Sequence, residues 1–271
     1  MTFNQLFNSF IAKHGNTHDV IFFELIFYVS PSVKTKDQFI QKRNETIDFK
    51  EKFFWKLVKQ YFVEQKPLAH IIGQTRFCDL IFKVSPKVLA PRDITEQMTR
   101  DFIDKHKNDK PSHLVDLCCG CGCIGISIKK YIPQFTVACI DKYWKPIFDT
   151  RDNGIKHQTQ LTVDCVDAIK YLARKGNIDY LISNPPYINK ENFANEWMFK
   201  YEDKHALIAP DNGLYFYKEY FKWLDQHTFK EAWFEIGYDL EKPLMDLAKD
   251  FQNIKVSFIP NKQYIVIKRK Q

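Results

Sequence analysis

Val115-Asp116-Leu117-Cys118-Cys119-Gly120-Cys121-Gly122-Cys123-Ile124-Gly125 is the stretch on which the fold turns. An apolar run enters it, small residues fill it and a helical apolar pattern leaves it, so it reads as strand, tight turn and helix. Gly120, Gly122 and Gly125 make G-x-G-x-x-G, and Asp141 follows about 20 residues on. A turn without side chains lets a ligand lie against backbone amides, and an acid ending the next strand accepts hydrogen bonds from ribose hydroxyls. S-adenosylmethionine meets those two demands; so does a dinucleotide, and a bare strand–helix turn carries the same pattern. Asp116 tilts the reading toward S-adenosylmethionine. At the mouth of the strand its charge would repel a pyrophosphate and suit an ammonium group. The crowding of Cys118, Cys119, Cys121 and Cys123 invites a metal, but zinc sites space their cysteines in separated pairs. Small residues filling a glycine turn account for them, and no metal is expected.

Outward from this turn, strands and helices alternate. Strands are expected at 113–117, 136–140, 160–163, 179–183, 232–236, 254–258 and 264–267, and helices at 123–131, 145–157, 167–174, 214–226 and 240–251. That alternation predicts an α/β fold with a doubly wound parallel sheet. The last two strands are close enough to pair as an antiparallel hairpin. Upstream, residues 67–89 shorten to a period near two, as a hairpin or extended connector. Asp93-Ile94-Thr95-Glu96 has the spacing of a capping box opening a helix that ends near residue 106. Before residue 63 the apolar residues recur at helical spacing, as in Phe3, Leu6, Phe7 and Phe10, and again in Phe54, Leu57, Val58 and Tyr61. The expected organisation is a helical domain at 1–74, a hairpin or linker at 75–92 and an α/β domain at 93–271.

With 45% apolar and 27% charged residues in a chain of 271, disordered and collagen-like classes are excluded. The formal charge is +7, yet only seven of the 40 basic residues are Arg. The surface is therefore rich in Lys and poor in the side chain that favours bidentate phosphate or base recognition. Nucleic acid is not expected as the substrate. No stretch approaches the roughly 20 apolar residues of a membrane span, and no basic segment leads into an apolar run at the N-terminus. An odd count of seven Cys is no disulfide framework, so a reduced, cytoplasmic protein without a membrane partner is expected.

The chemistry is signalled at the end of the fourth expected α/β strand, by Asn184-Pro185-Pro186-Tyr187. In an open parallel sheet the ligand lies beyond the carboxyl ends of the strands at the switch point, where the first and fourth strands meet. The glycine turn and this tetrapeptide therefore face one crevice. Two prolines stiffen the turn and remove backbone donors. What they leave is acceptors, the Asn184 side-chain oxygen and the Pro185 carbonyl, with Tyr187 able to lie against a planar group. Such a set matches an NH₂ on a planar π system, an amide or an exocyclic amine, with nitrogen as methyl acceptor. That nitrogen is a poor nucleophile; in an amide its delocalised lone pair underlies a rotational barrier of about 18–20 kcal/mol. Accepting both N–H groups returns electron density to it, and holding it about 3–3.5 Å from the methyl carbon supplies the orientation.

With these residues in place, the chain resembles the bacterial release-factor glutamine methyltransferases, the PrmC/HemK family. The resemblance runs through Pro67-Leu68-Ala69-His70-Ile71-Ile72-Gly73, through residues 84–96, and through Tyr201-Glu202, Gly213-Leu214 and Glu235-Ile236-Gly237. It implies a class I (Rossmann-like) methyltransferase with a seven-stranded mixed sheet, plus a small all-α N-terminal domain that docks a protein substrate. It implies S-adenosylmethionine as cofactor, and methyl transfer to the side-chain N5 of the glutamine in the Gly-Gly-Gln motif of peptide chain release factors, in translation termination. Cofactor contacts carried over are Cys118, Cys119, Gly120, Cys121 and Gly122, with Asp141 at the ribose, Asp167 and Ala168 at the adenine, and Asn184 near the methionyl end. Asn184, Pro185, Pro186 and Tyr187 would hold the glutamine, with Asn184, Pro185 and Tyr187 as the catalytic set. Cys118 departs from the family's usual glycine, at a cost on the order of 1–2 kcal/mol if φ is positive there. Ala168 departs from a usual bulky aromatic, so stacking must come from elsewhere. Rival readings are a ribosomal-protein glutamine methyltransferase, a DNA adenine N6-methyltransferase and an inactive binding module.

Overall fold

The computed structural model describes residues 1–192 and 200–270. The chain divides into two compact units, Met1–Gly73 and Gln74–Gln271.

The first unit holds α1 (Phe3–His14), α2 (Asp19–Val29), α3 (Lys36–Lys42), α4 (Glu51–Phe62) and the short α5 (Leu68–Ile72). Its boundaries follow local chemistry. Thr2 and Gln5 close a reciprocal capping box at the start of α1. Past α2, the Ser30 hydroxyl donates to Asp48 and accepts the Val33 N–H, fixing the turn. The expected stripes bury Phe3, Leu6 and Phe10 against Phe22, Phe54, Leu57 and Val58. Phe22 meets Phe7 and Phe54 edge-on at centroid separations of 5.0 and 5.6 Å, the geometry that aromatic quadrupoles favour.

The second unit opens with an antiparallel hairpin, β1 (Gln74–Phe77) and β2 (Leu80–Lys83), whose turn residues Cys78 and Asp79 both take positive φ. Then follow α6 (Asp93–His106), β3 (His113–Leu117), α7 (Cys123–Tyr131), β4 (Thr136–Asp141), α8 (Trp144–Lys156), β5 (Thr162–Cys165), α9 (Ala168–Leu172) and β6 (Tyr180–Ser183). The chain ends with α10 (Tyr215–Gln226), β7 (Glu231–Glu235), α11 (Glu241–Ala248), β8 (Ile254–Phe258) and β9 (Tyr264–Arg269). The sheet order is β5-β4-β3-β6-β7-β9-β8, parallel from β5 to β7, with β9 antiparallel to both β7 and β8. This is a seven-stranded mixed sheet of Rossmann-like topology. The chain reverses its winding between β3 and β6, which are hydrogen-bonded neighbours, so a crevice opens above their carboxyl ends. Both strands are almost wholly buried, as strands covered on two faces must be.

Three expectations need correction. The strand placed at 160–163 lies at Thr162–Cys165, and the helix placed at 240–251 stops at Ala248. The Asp93–Glu96 capping box does not form. Arg92 occupies the cap without a side-chain bond, and Glu96 instead accepts the Cys78 N–H at 3.0 Å and binds Arg100. A tertiary donor in the hairpin turn outcompetes the local one.

Candidate active site

The cofactor turn is held from beneath by neighbouring strands and from the side by α8. Cys119 N–H donates to the Ile140 carbonyl at 3.0 Å, and Ser183 Oγ donates to the Leu117 carbonyl at 2.7 Å. Thr150 Oγ1 donates to the Gly120 carbonyl at 2.9 Å, and Asn153 Nδ2 donates to the Cys121 carbonyl at 3.0 Å. Gly122 then starts α7 at φ +80°, where an added Cβ would lie 2.8 Å from the Thr150 methyl. Cys118 adopts φ +58°, the left-handed conformation that its side chain resists.

Over this turn lies a pocket of about 660 Å³, within the usual size range of small-molecule sites. Cys118, Cys119, Gly120 and Cys121 form its floor, and Asp141, Asp167 and Ala168 form one wall. Asn184 and Pro186 close the end nearest β6. Asp141 terminates β4 with Oδ2 accepting the Gly120 N–H and Oδ1 the Tyr143 N–H, each at 3.0 Å. Burial pushes its carboxyl up to about 6, against those backbone bonds that favour the charge. Asp167 caps α9, accepting the Ile169 and Lys170 N–H groups, and its other oxygen lies 3.4 Å from Lys142 Nζ. Each of these carboxylates keeps lone pairs that can accept from ligand hydroxyl or amino groups. Tyr143, Trp144, Tyr215 and Phe216 also line the pocket and supply the aromatic surface that Ala168 lacks. An adenosine-bearing ligand fits this mixture of small-residue floor, acidic wall and aromatic rim.

Four of the expected site residues do not line the pocket. Asp116 is fully buried, with Oδ2 accepting the Gly125 N–H at 2.9 Å and Oδ1 unpaired among the described residues. Burial pushes its carboxyl up to about 8, which favours the protonated form. The expectation that it faces a ligand ammonium is corrected: strand alternation turns residue 116 under the first turn of α7, away from the crevice. Gly122 serves the turn rather than the ligand. Pro185 is buried behind the lining. Tyr187 packs its ring over Gly237, where an added Cβ would lie 3.2 Å from the ring, and donates its hydroxyl to Glu235 Oε1 at 3.1 Å.

Two polar residues that the sequence did not mark as functional complete the Asn184 end. Asn184 Nδ2 donates to Thr95 Oγ1 at 3.0 Å, and Thr95 Oγ1 donates to Glu235 Oε2 at 2.5 Å. Thr95 lines the pocket; Glu235 is 1% exposed, and burial pushes its carboxyl up to about 7. A last wall comes from residues 87–91, drawn in by Glu202. Its carboxylate accepts the Ala90 N–H at 3.1 Å and pairs with Arg92 at 2.5 Å. Both Thr95 and Glu235 fall within stretches carrying the family resemblance, yet only contact across elements assigns them a place.

Comparison with known proteins gives the family. Residues 80–205 match the model of the methyltransferase small domain. The release factor glutamine methyltransferase of Clostridium botulinum is 30% identical over 250 residues, covering 88% of this chain and 78% of that protein. Its counterpart in Staphylococcus aureus is 29% identical, covering 75% and 72%. Among solved structures, the Thermus thermophilus 16S rRNA N2 G1207 methyltransferase, in complex with AdoMet and guanosine, shares the fold at a TM-score of 0.53. It is 11% identical, with 73% of this chain and 50% of that chain covered. The chain is an S-adenosylmethionine-dependent methyltransferase and belongs to the release factor glutamine methyltransferase family.

Proposed function

We propose that the chain methylates the side-chain N5 of the glutamine in the Gly-Gly-Gln motif of peptide chain release factors, in the cytoplasm, with the helical unit docking the substrate. The observation that carries this reading is the Asn184 amide at the end of a pocket built for an adenosine-bearing ligand, its Nδ2 tied to Thr95 and its planar partner Oδ1 on the opposite edge. The names of the relatives support the release factor as substrate.

S-adenosylmethionine bound there supplies the electrophilic methyl carbon on its sulfonium. Asn184 Oδ1 accepts an N–H group of the substrate amide, which raises electron density on nitrogen as the new bond forms. Pro185 and Pro186 stiffen the turn that carries this acceptor, so orientation is set before the reaction begins. Methylation makes the nitrogen acidic, and its proton can pass to water, so no strong base is required of the protein. Asp141 and the 118–121 turn hold the nucleoside end and take no part in the transfer.

Asn184→Ala is expected to leave cofactor affinity within a few-fold while cutting turnover by about 10² or more, since the lost hydrogen bond matters most in the transition state. Asp141→Ala should do the reverse and raise the cofactor's dissociation constant first. Calorimetry with S-adenosylmethionine, together with mass spectrometry of the Gly-Gly-Gln peptide after incubation, measures both. Methyl label appearing in DNA or a ribosomal protein, and none in release factor, would overturn the substrate.

A further inference from the structure

We propose that Glu235 is a positioning residue: acting through Thr95, it fixes which edge of the Asn184 amide faces the substrate nitrogen. This rests on Asn184 being the residue that accepts the substrate N–H.

The argument is a count of protons. The Thr95 hydroxyl has one hydrogen and sits 2.5 Å from Glu235 Oε2 and 3.0 Å from Asn184 Nδ2. An ionised carboxylate can only accept, so the hydroxyl hydrogen must go to Glu235. Thr95 Oγ1 then has only lone pairs to offer Asn184, and the amide must turn its NH₂ toward it. Oδ1 is thereby committed to the other edge, as an acceptor. Tyr187 reinforces the polarity by donating to Glu235 Oε1, and the Asn184 NH₂ also hydrogen-bonds the carboxylate directly, so Glu235 meets donors alone and holds the same edge of the amide. Among the remaining charged and titratable neighbours, Arg92 favours the ionised form of Glu235 through its charge, and none takes a hydrogen bond from the Glu235 carboxylate. Arg92 is paired with Glu202, Tyr217 donates to the Glu235 backbone carbonyl at 2.6 Å, and Tyr264, opposite on β9, donates to Asp101.

A neutral residue cannot impose this order. A glutamine at 235, or a protonated glutamate, presents one donor and one acceptor. It can donate to Thr95, which frees the threonine hydrogen to point at Asn184. The amide can then present NH₂ to the pocket, where it would oppose the substrate's N–H groups. Retaining a buried acid faced by hydroxyls is otherwise costly, since its charge is desolvated without direct contact to a cation. Because burial pushes this carboxyl up to about 7, the arrangement titrates near neutrality. The ionised form is the ordered one, so methyl transfer should rise with pH through that range.

The test is single-turnover methyl transfer to a full-length release factor between about pH 5.5 and 8.5, with cofactor affinity measured in parallel. Wild type should show the rising limb. Glu235→Gln and Thr95→Val should each lose about 10- to 100-fold at the upper pH and flatten the limb, with cofactor dissociation constants changed less than about threefold. Thr95→Ser, which keeps the hydroxyl, should retain both rate and limb. Glu235→Gln with wild-type rate and limb would overturn the proposal. So would a Thr95→Val protein that keeps both, should the first variant fail to fold. If Asn184→Ala also retains turnover, the parent reading of Asn184 fails; if Asn184→Ala is inactive while the other two are unaffected, only the role of Glu235 fails.

Discussion

Cys118 shows how a single side chain can carry a cost that the fold around it does not require. The turn demands φ +58° at this position, and a Cβ there is crowded by the following carbonyl, at about 1–2 kcal/mol. Its thiol recovers little, being 3.7 Å from the Tyr220 hydroxyl and partly buried against the core. Cys118→Gly is expected to raise stability by about 1 kcal/mol in denaturant melts, whereas Cys118→Ala keeps the strain and should not. Because glycine adopts this φ without altering the turn's backbone amides, cofactor affinity should move by less than about twofold. The φ problem could be posed from residue order alone, by comparison with a glycine-filled turn. That Asp116 is a buried support whose carboxyl is pushed up by burial could not, because a carboxylate's ionisation depends on what surrounds it and not on its place in a motif.

Among the elements, α6 and the segment leading into it are shaped by distant partners. Arg92 is one-third exposed, but Glu202, which it pairs with, is 1% exposed on its side chain. Removing the guanidinium leaves a buried carboxylate with the Ala90 N–H as its main support. Arg92→Met should cost about 2–3 kcal/mol, less than for a fully buried pair because solvent can reach the gap. The double variant Arg92→Met, Glu202→Leu should recover part of that loss, and urea denaturation of the four-member cycle reads the coupling. The capping box at Asp93–Glu96 failed for the same kind of reason. Glu96 had a choice between a local amide and the Cys78 amide of the hairpin turn, and sequence spacing records only the first. By contrast, the helix that begins at Cys123 and the strands at 113–117 and 254–258 were legible, since burial periodicity is a property of the element itself.

For the whole molecule, all described pocket residues lie between positions 87 and 216, inside the second compact unit. A chain of residues 74–271 is therefore expected to unfold cooperatively and bind S-adenosylmethionine within a few-fold of the full protein. If the helical unit docks the substrate, the same chain should methylate release factor at least about tenfold more slowly, mostly through KM. Calorimetry and initial rates on the two chains separate these effects; equal rates would assign docking to the α/β unit. By itself the sequence determined the alternation of strands and helices, the glycine turn, the acid after the second strand of the sheet and the Asn-Pro-Pro-Tyr corner, because each is written in contiguous residues whose spacing reflects local geometry. Only the tertiary structure decided that Asp116 supports α7, that Tyr187 belongs to Glu235, and that Thr95 stands between Asn184 and Glu235. Those contacts join residues up to 140 positions apart, and a hydrogen bond has no sequence signature until folding brings its donor and acceptor within reach.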